Sequence, residues 1–250
     1  MTEFLFSAGA NKTGHRWMLG ALLLASLSGC ATGPNANPSD PWEPLNRGVF
    51  AFNDAADRAL FKPAATVYRD LTPALVRAGV TNFFGNLDDA WSFVNSVLQF
   101  KPVSAADNFM RFSVNTVFGI GGIFDVASEM RIERHREDFG QTLGRWGVGA
   151  GPYLVLPLLG PSTLRDTVAL PVDFKGDIAA NVNDIPTRNS LKILDQLDTR
   201  AGLLSVTSTL DDAALDKYSF TRDAFLQRRR NAVFDGDPPE EPADDKPTSR

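Results

Sequence analysis

Few side chains in this 250-residue chain could carry covalent or metal chemistry. The two histidines are His15 and His135, and the single cysteine is Cys30. A zinc site would have to combine His135 with carboxylates alone, a poor donor set for a tetrahedral ion. A Ser-His-Asp triad would need the same His135, which stands in the charged run ERHRED where a solvated surface histidine is the plainer reading, and no GxSxG elbow supplies its serine. Asp88 and Asp89 are adjacent carboxylates, but helix neighbours diverge by about 100°, so they mark a wet face rather than an acid/base pair. The run Gly119-Ile-Gly-Gly122 lacks the spacing and the lysine of a phosphate loop and fits a turn. Arg228, Arg229 and Arg230 are placed where the dipole of a last helix favours cations, with contact to anionic headgroups as the alternative. These counts lead to no catalytic residue, no metal and no cofactor.

The chemistry that remains belongs to Cys30. A start carrying Lys12 and Arg16, an apolar run from Trp17 to Leu27 and then LSGC has the order of a secretory signal, and the apolar run is too short to span as a stable helix. LSGC resembles the lipobox of bacterial lipoproteins, which implies removal of residues 1–29 and acylation of Cys30, with palmitate among the acyl groups. One acyl chain holds a membrane only marginally, whereas several on one residue anchor firmly. Ala31 stands where an Asp would signal inner-membrane retention in enterobacterial lipoproteins, so the outer membrane is expected.

The formal net charge of −5 argues against a nucleic-acid partner. Residues 1–29 and the tail from Asp235 hold seven of the acids and four of the bases, which leaves a body of 21 basic and 23 acidic residues, close to neutral. Aromatic usage is dominated by 18 Phe against three Tyr and four Trp, so most rings lack a polar tip.

The elements that would position any site are mostly helices. Residues 31–39 have the Pro, Asn, Gly and Ser composition of a linker. In DPWEPLNRGVFAFN, Asp40 can cap and Pro41 suits a first helical position; Leu45, Val49, Phe52, Ala56 and Leu60 share a stripe, and Pro63 should end the helix. Thr72 and Pro73 begin a second helix. From Asn86 to Phe100 an apolar arc covers about half the circumference, with Asp88, Ser92, Asn95 and Gln99 on a narrower stripe. Ala105 to Phe118 sets Phe109, Met110, Phe112 and Val117 against Asp107, Asn108, Arg111 and Asn115. Core packing and lipid contact are both open for these two faces.

Phe139 to Asp166 holds no charge between Arg145 and Arg165, yet is interrupted by Gly147, Gly149, Gly151, Pro152, Pro157, Gly160 and Pro161. It suits lipid by composition and cannot span by conformation, so its backbone needs cover from other protein. Ser162 or Thr163 can cap a following helix. Pro171 and Pro186 bracket an irregular region, Asn189 to Leu204 is helical, and Ser208 to Asp211 forms a capping box into a last helix ending near Phe234. The segment 235–250 cannot bury a core and is expected to be disordered. The division is therefore a signal peptide at 1–29, an anchor and linker at 30–39, a body at 40–234 and a tail.

An anchored body with wide apolar arcs suits work on lipids. Drawing a two-chain phospholipid of about 30 CH2 groups into water would cost on the order of 24 kcal/mol, so a mover of lipids must keep the chains on an apolar path while a polar route takes the headgroup.

DPWEPLNRGVFAFN, NFFGNL from Asn82, RFSVNTVFGIGGIFDVAS from Arg111 and FGQTLGRWGVGAGPYLVLPLLGPSTLRD from Phe139 resemble, in this order, the MlaA (VacJ) lipoproteins of Gram-negative bacteria. The resemblance implies a mainly α, ring-shaped bundle of amphipathic helices around a central amphipathic channel in the inner leaflet of the outer membrane. It implies removal of phospholipids misplaced in the outer leaflet, their delivery to a periplasmic lipid-binding protein, and association with a trimeric porin. Phe52, Asn53, Gly140, Leu143 and Gly147 are the residues it assigns to the channel. A porin-associated tether that moves no lipid would share the anchor but has no use for the uncharged Gly- and Pro-rich segment; a phospholipid-degrading enzyme would need a nucleophile the mature chain scarcely holds.

Overall fold

A computed structural model describes residues 37–240 of the chain. Cys30 and the expected signal peptide at 1–29 lie outside the described residues. Helices α1 (Glu43–Ala56), α2 (Lys62–Leu71), α3 (Ala74–Leu98), α4 (Pro102–Val117) and the short α5 (Val126–Glu129) come first. Then follow α6 (Phe139–Arg145), a two-stranded antiparallel hairpin of β1 (Tyr153–Leu156) and β2 (Gly160–Thr163), α7 (Leu164–Gly176), α8 (Ile185–Gly202), α9 (Leu204–Ala213) and α10 (Lys217–Val233). The chain is mainly α, as expected.

Caps set many of the starts. Asp138, Thr163 and Asp184 each accept the backbone N–H three residues on, satisfying a donor that the first helical turn leaves free. Asp216 does the same for α10, so Ser208 is not part of its cap; Ser208 lies inside α9. Asp40 does not cap α1 either, because Trp42 occupies that position and Asp40 is buried at 2% exposure.

Two prolines expected to interrupt helices do not. Ahead of Pro63 the chain widens into a π-turn, Asp57–Phe61, and continues as α2. The proline has no N–H to donate to Ala59 and its ring crowds that carbonyl, and a widened turn just before it absorbs both defects. Pro171 lies within α7, which runs on to Gly176, and the irregular segment begins only at Asp177. Likewise α8 starts at Ile185, with Pro186 in its first turn, rather than at Asn189.

The polarity of the packing is inverted relative to a water-soluble bundle. The α3/α4 hairpin buries Asn86, Asp89, Asn95, Asn108, Arg111 and Asn115, none more than 2% exposed. Asp89 is therefore buried, not on a wet face, because Arg111 from α4 and Arg134 from the chain after α5 reach it. The apolar arc points out: Val97, Phe109, Val117 and Phe118 are all at least half exposed. Of the stripe expected along α1 and the π-turn, Leu45, Phe52 and Leu60 are exposed while Val49 packs on the apolar core, and Asn46 faces inward. A buried polar layer beneath an exposed apolar surface is the informative departure from ordinary burial. The largest described apolar core is small, with Tyr153, Val155 and Tyr218 at its centre and Val49, Phe50, Phe225 and Leu226 around them.

Candidate functional site

The stretch from Phe139 to Asp166 opens as helix: α6 covers Phe139–Arg145 before the chain turns through Gly147 into the uncharged part. Its later half is extended, and the backbone cover it requires comes from α1. Two asparagines seven residues apart share one face of that helix. Asn46 donates from Nδ2 to the Tyr153 carbonyl at 3.0 Å and accepts the Val155 N–H at 2.9 Å. Asn53 donates to the Leu156 carbonyl at 2.9 Å and accepts the Leu158 N–H at 2.8 Å. Each carboxamide presents a donor and an acceptor side by side, so together they stand in for a neighbouring strand along β1. The tip beyond β1 carries Leu158 and Leu159, about 60% exposed, with Leu158 at φ +62° and Gly160 at φ +82°. An apolar tip in left-handed geometry is held in place by Asn53.

The first asparagine is itself fixed. Asp40 accepts from Asn46 at 2.8 Å, from Arg222 at 3.3 Å and from the Tyr218 hydroxyl. Burial, then the bond to Asp40, pushes the Tyr218 hydroxyl above its usual range, so it stays a donor. Arg47 lies over the Tyr218 ring at 4.3 Å and forms a bidentate pair with Asp216, tying α1 to the start of α10.

Arg229 locks the other end of the stretch. It pairs with Asp138, the cap of α6, and with Asp166 in the first turn of α7. Burial opposes the charge on Asp138, but the bond and charge of Arg229 prevail and its carboxyl titrates below the usual range. Gly140 makes room for the guanidinium: a Cβ there would lie 2.4 Å from Arg229 Nη2 and 2.5 Å from Asp166 Oδ1.

The five residues assigned to the channel fall in three places. Phe52 is exposed on α1, and its neighbour Asn53 is half-buried against the hairpin tip, where it also lines a cavity of about 220 Å3 with Phe61, Leu158 and Leu159. Gly140 is buried beneath Arg229, and Leu143 on the same helix accepts the Val148 N–H. Gly147 is exposed at φ +93° on a cavity of about 980 Å3 between the Gly-rich turn and α10. His135 is half-buried beside Asp107, its Nε2 3.1 Å from the carboxylate. Asn46 was missed from sequence, although its seven-residue spacing from Asn53 was a visible signal; Arg111 and Arg229 were singled out there without their partners, and Arg229, expected at the helix dipole or at headgroups, pairs with Asp138 and Asp166. No helix among the described residues is long and apolar enough to cross a membrane.

A family model for MlaA lipoproteins matches residues 38–232. The chain is 37% identical over 226 residues to the Escherichia coli intermembrane phospholipid transport system lipoprotein MlaA, covering 84% of this chain and 86% of that one. The Haemophilus influenzae protein of the same name is 39% identical over 165 residues, 62% of this chain and 66% of that one. An uncharacterised Rickettsia bellii protein is 35% identical over 195 residues, 78% of this chain and 76% of that one. A solved structure described as the structural basis for maintenance of bacterial outer membrane lipid asymmetry superposes with a TM-score of 0.69 at 34% identity, covering 78% of this chain and 99% of the other.

Proposed function

The chain belongs to the MlaA lipoprotein family, and from that premise we propose that it removes phospholipids from the outer leaflet of the outer membrane through an amphipathic passage, maintaining lipid asymmetry. The observation that carries this reading is the inverted packing of α3 and α4. Buried Asn86, Asp89, Asn108 and Arg111 give the layer a polar interior, and exposed Val97, Phe109 and Phe118 give it a surface suited to hydrocarbon. Such a body lies in a leaflet without spanning it. Acylated Cys30 tethers it on the periplasmic side, and the protein works by moving lipid, with no hydrolytic step.

The hairpin is the movable part of the passage. Its tip is apolar, is bordered by a cavity and is pinned by Asn53 from α1; Phe52 is exposed on the same helix, and Gly147 lines the larger cavity next to the turn that feeds it. Extracted lipid passes to a periplasmic lipid-binding protein, and a trimeric porin holds the assembly in the membrane. Labelling of surface phospholipid in a deletion strain tests the reading. Wild-type protein should restore the low surface signal, and Val97→Asp with Phe109→Asp, which charges the outer face, should not. A deletion strain with unchanged surface phospholipid would sink the proposal.

A further inference from the structure

Beside the hairpin tip lies a second, strongly charged cavity of about 510 Å3, within the range of small-ligand sites. Its walls come from α1, the π-turn, α2, α8, α9 and α10. Three carboxylates, Asp54, Asp57 and Asp211, face four cations, Arg58, Lys62, Arg200 and Lys217, which leaves one positive charge over. The ion pairs use the members unequally. Lys217 Nζ sits 2.8 Å from Asp54 and 2.6 Å from Asp211, and Arg200 grips Asp57 through two bonds. Arg58 holds Asp54 with one nitrogen while its side chain is 67% exposed. Lys62 comes no nearer to a carboxylate than 3.8 Å, and among the described residues its ammonium makes no hydrogen bond.

Asp57 and Arg200 also border the smaller cavity, where Phe61, Leu158 and Leu159 stand beside Asn53 and Gln196. The Asp57–Arg200 pair is thus a wall shared by a cationic compartment and one that offers three apolar side chains. The π-turn creates this arrangement, because its five residues carry Asp57 and Arg58 at one end and Leu60 and Phe61 at the other.

We propose that the charged cavity is a headgroup site for glycerophospholipids. Lys62 and Arg58 take the phosphodiester, and the proximal acyl carbons lie against Phe61, Leu158 and Leu159. A monoanionic phosphodiester meets the surplus cation, and the Asp57–Arg200 wall separates headgroup from chains. The site rests on the transport reading, of which it names the substrate-recognising residues.

Calorimetric titration of the purified full chain in a nonionic detergent tests it, using dihexanoyl phosphatidylglycerol, dihexanoylglycerol without phosphate, and inorganic phosphate. The phosphatidylglycerol should bind and the neutral diacylglycerol should not. Arg58→Glu with Lys62→Glu should weaken binding at least tenfold; Lys62→Ala, which removes no hydrogen bond, should do so severalfold with an unchanged melting temperature, and Lys62→Arg should restore it. Wild-type affinity in the charge-reversed variant would overturn the site, as would displacement of the lipid by equimolar inorganic phosphate, which would mark a plain anion site. Surface phospholipid measured in cells separates the two readings. Altered lipid binding with no effect of gene deletion sinks transport and leaves the site; wild-type lipid affinity and normal clearance in the Arg58→Glu, Lys62→Glu variant sink the site and leave transport.

Discussion

Replacing Arg111 by Met tests whether the polar interior of α3 and α4 holds the body together. Arg111 is 2% exposed. Its Nη2 donates to both oxygens of Asp125 at 2.8 Å, its Nη1 to the Ile132 carbonyl at 2.6 Å, and its Nε reaches Asp89 at 3.4 Å. Removing one partner of a buried charge pair typically costs about 3–5 kcal/mol. Here Arg134 remains on Asp89 at 3.0 Å and lies 3.9 Å from Asp125, so the lower end applies, about 3 kcal/mol. The loss should also depend on pH. Burial alone would raise the Asp125 carboxyl, but bonds from Ser128 and Asn115 and the charge of Arg111 outweigh it and bring it down to about 2. A carboxyl held below its unfolded value of about 3.9 contributes stability that is present above that pH and lost as pH falls through the folded value. Urea titration of the purified chain in nonionic detergent, followed by circular dichroism, should show the full gap between wild type and Arg111→Met at pH 6 and a smaller one at pH 2.5. As the matched control, Val97→Thr on the exposed face should cost under about 0.5 kcal/mol. A cost below about 1 kcal/mol for Arg111→Met at pH 6, or a gap that does not change with pH, would refute the reasoning.

Other changes test the remaining parts of the structure. Asn53→Leu removes both bonds to the hairpin tip, at about 1–3 kcal/mol of local stability; amide exchange at Leu158 should accelerate while Val155, held by Asn46, keeps its protection, and equal acceleration at both would show that the two clamps are not separate. Gly147→Leu should cost about 1–2 kcal/mol through its left-handed backbone, since a Cβ there meets nothing within 4 Å. Gly140→Ala should cost more than Gly147→Ala by thermal melting, because its Cβ meets the Arg229–Asp166 pair, and the reverse order would contradict that packing. Asp88 keeps exposed surface at the rim of the cavity it shares with Asp177, and partial desolvation there, then the charges of Asp195 and Asp177, push its carboxyl up to about 6; carbon-13 titration should find that midpoint, and Asp195→Asn should lower it.

Sequence alone settled the things that depend on local composition. Short-range periodicity gave the helical class, capping chemistry placed the start of α7 at Ser162 or Thr163, of which Thr163 is the cap, and the alternation of glycine and proline without charge after Arg145 marked a segment needing cover. Motif order identified the family. Tertiary structure decided which face of each helix is inside. An amphipathic pattern separates two faces and carries no sign, so the stripe of Leu45, Phe52 and Leu60 and the arc of α3 could equally pack on protein or on lipid. The sign was set by pairings between residues far apart in the chain: Asn46 and Asn53 with β1, Arg111 with Asp125, Arg134 with Asp89, and Arg229 with Asp138 and Asp166. Each satisfies buried polar groups that would otherwise oppose folding. Once those groups are joined inside, the apolar faces have nowhere to go but out.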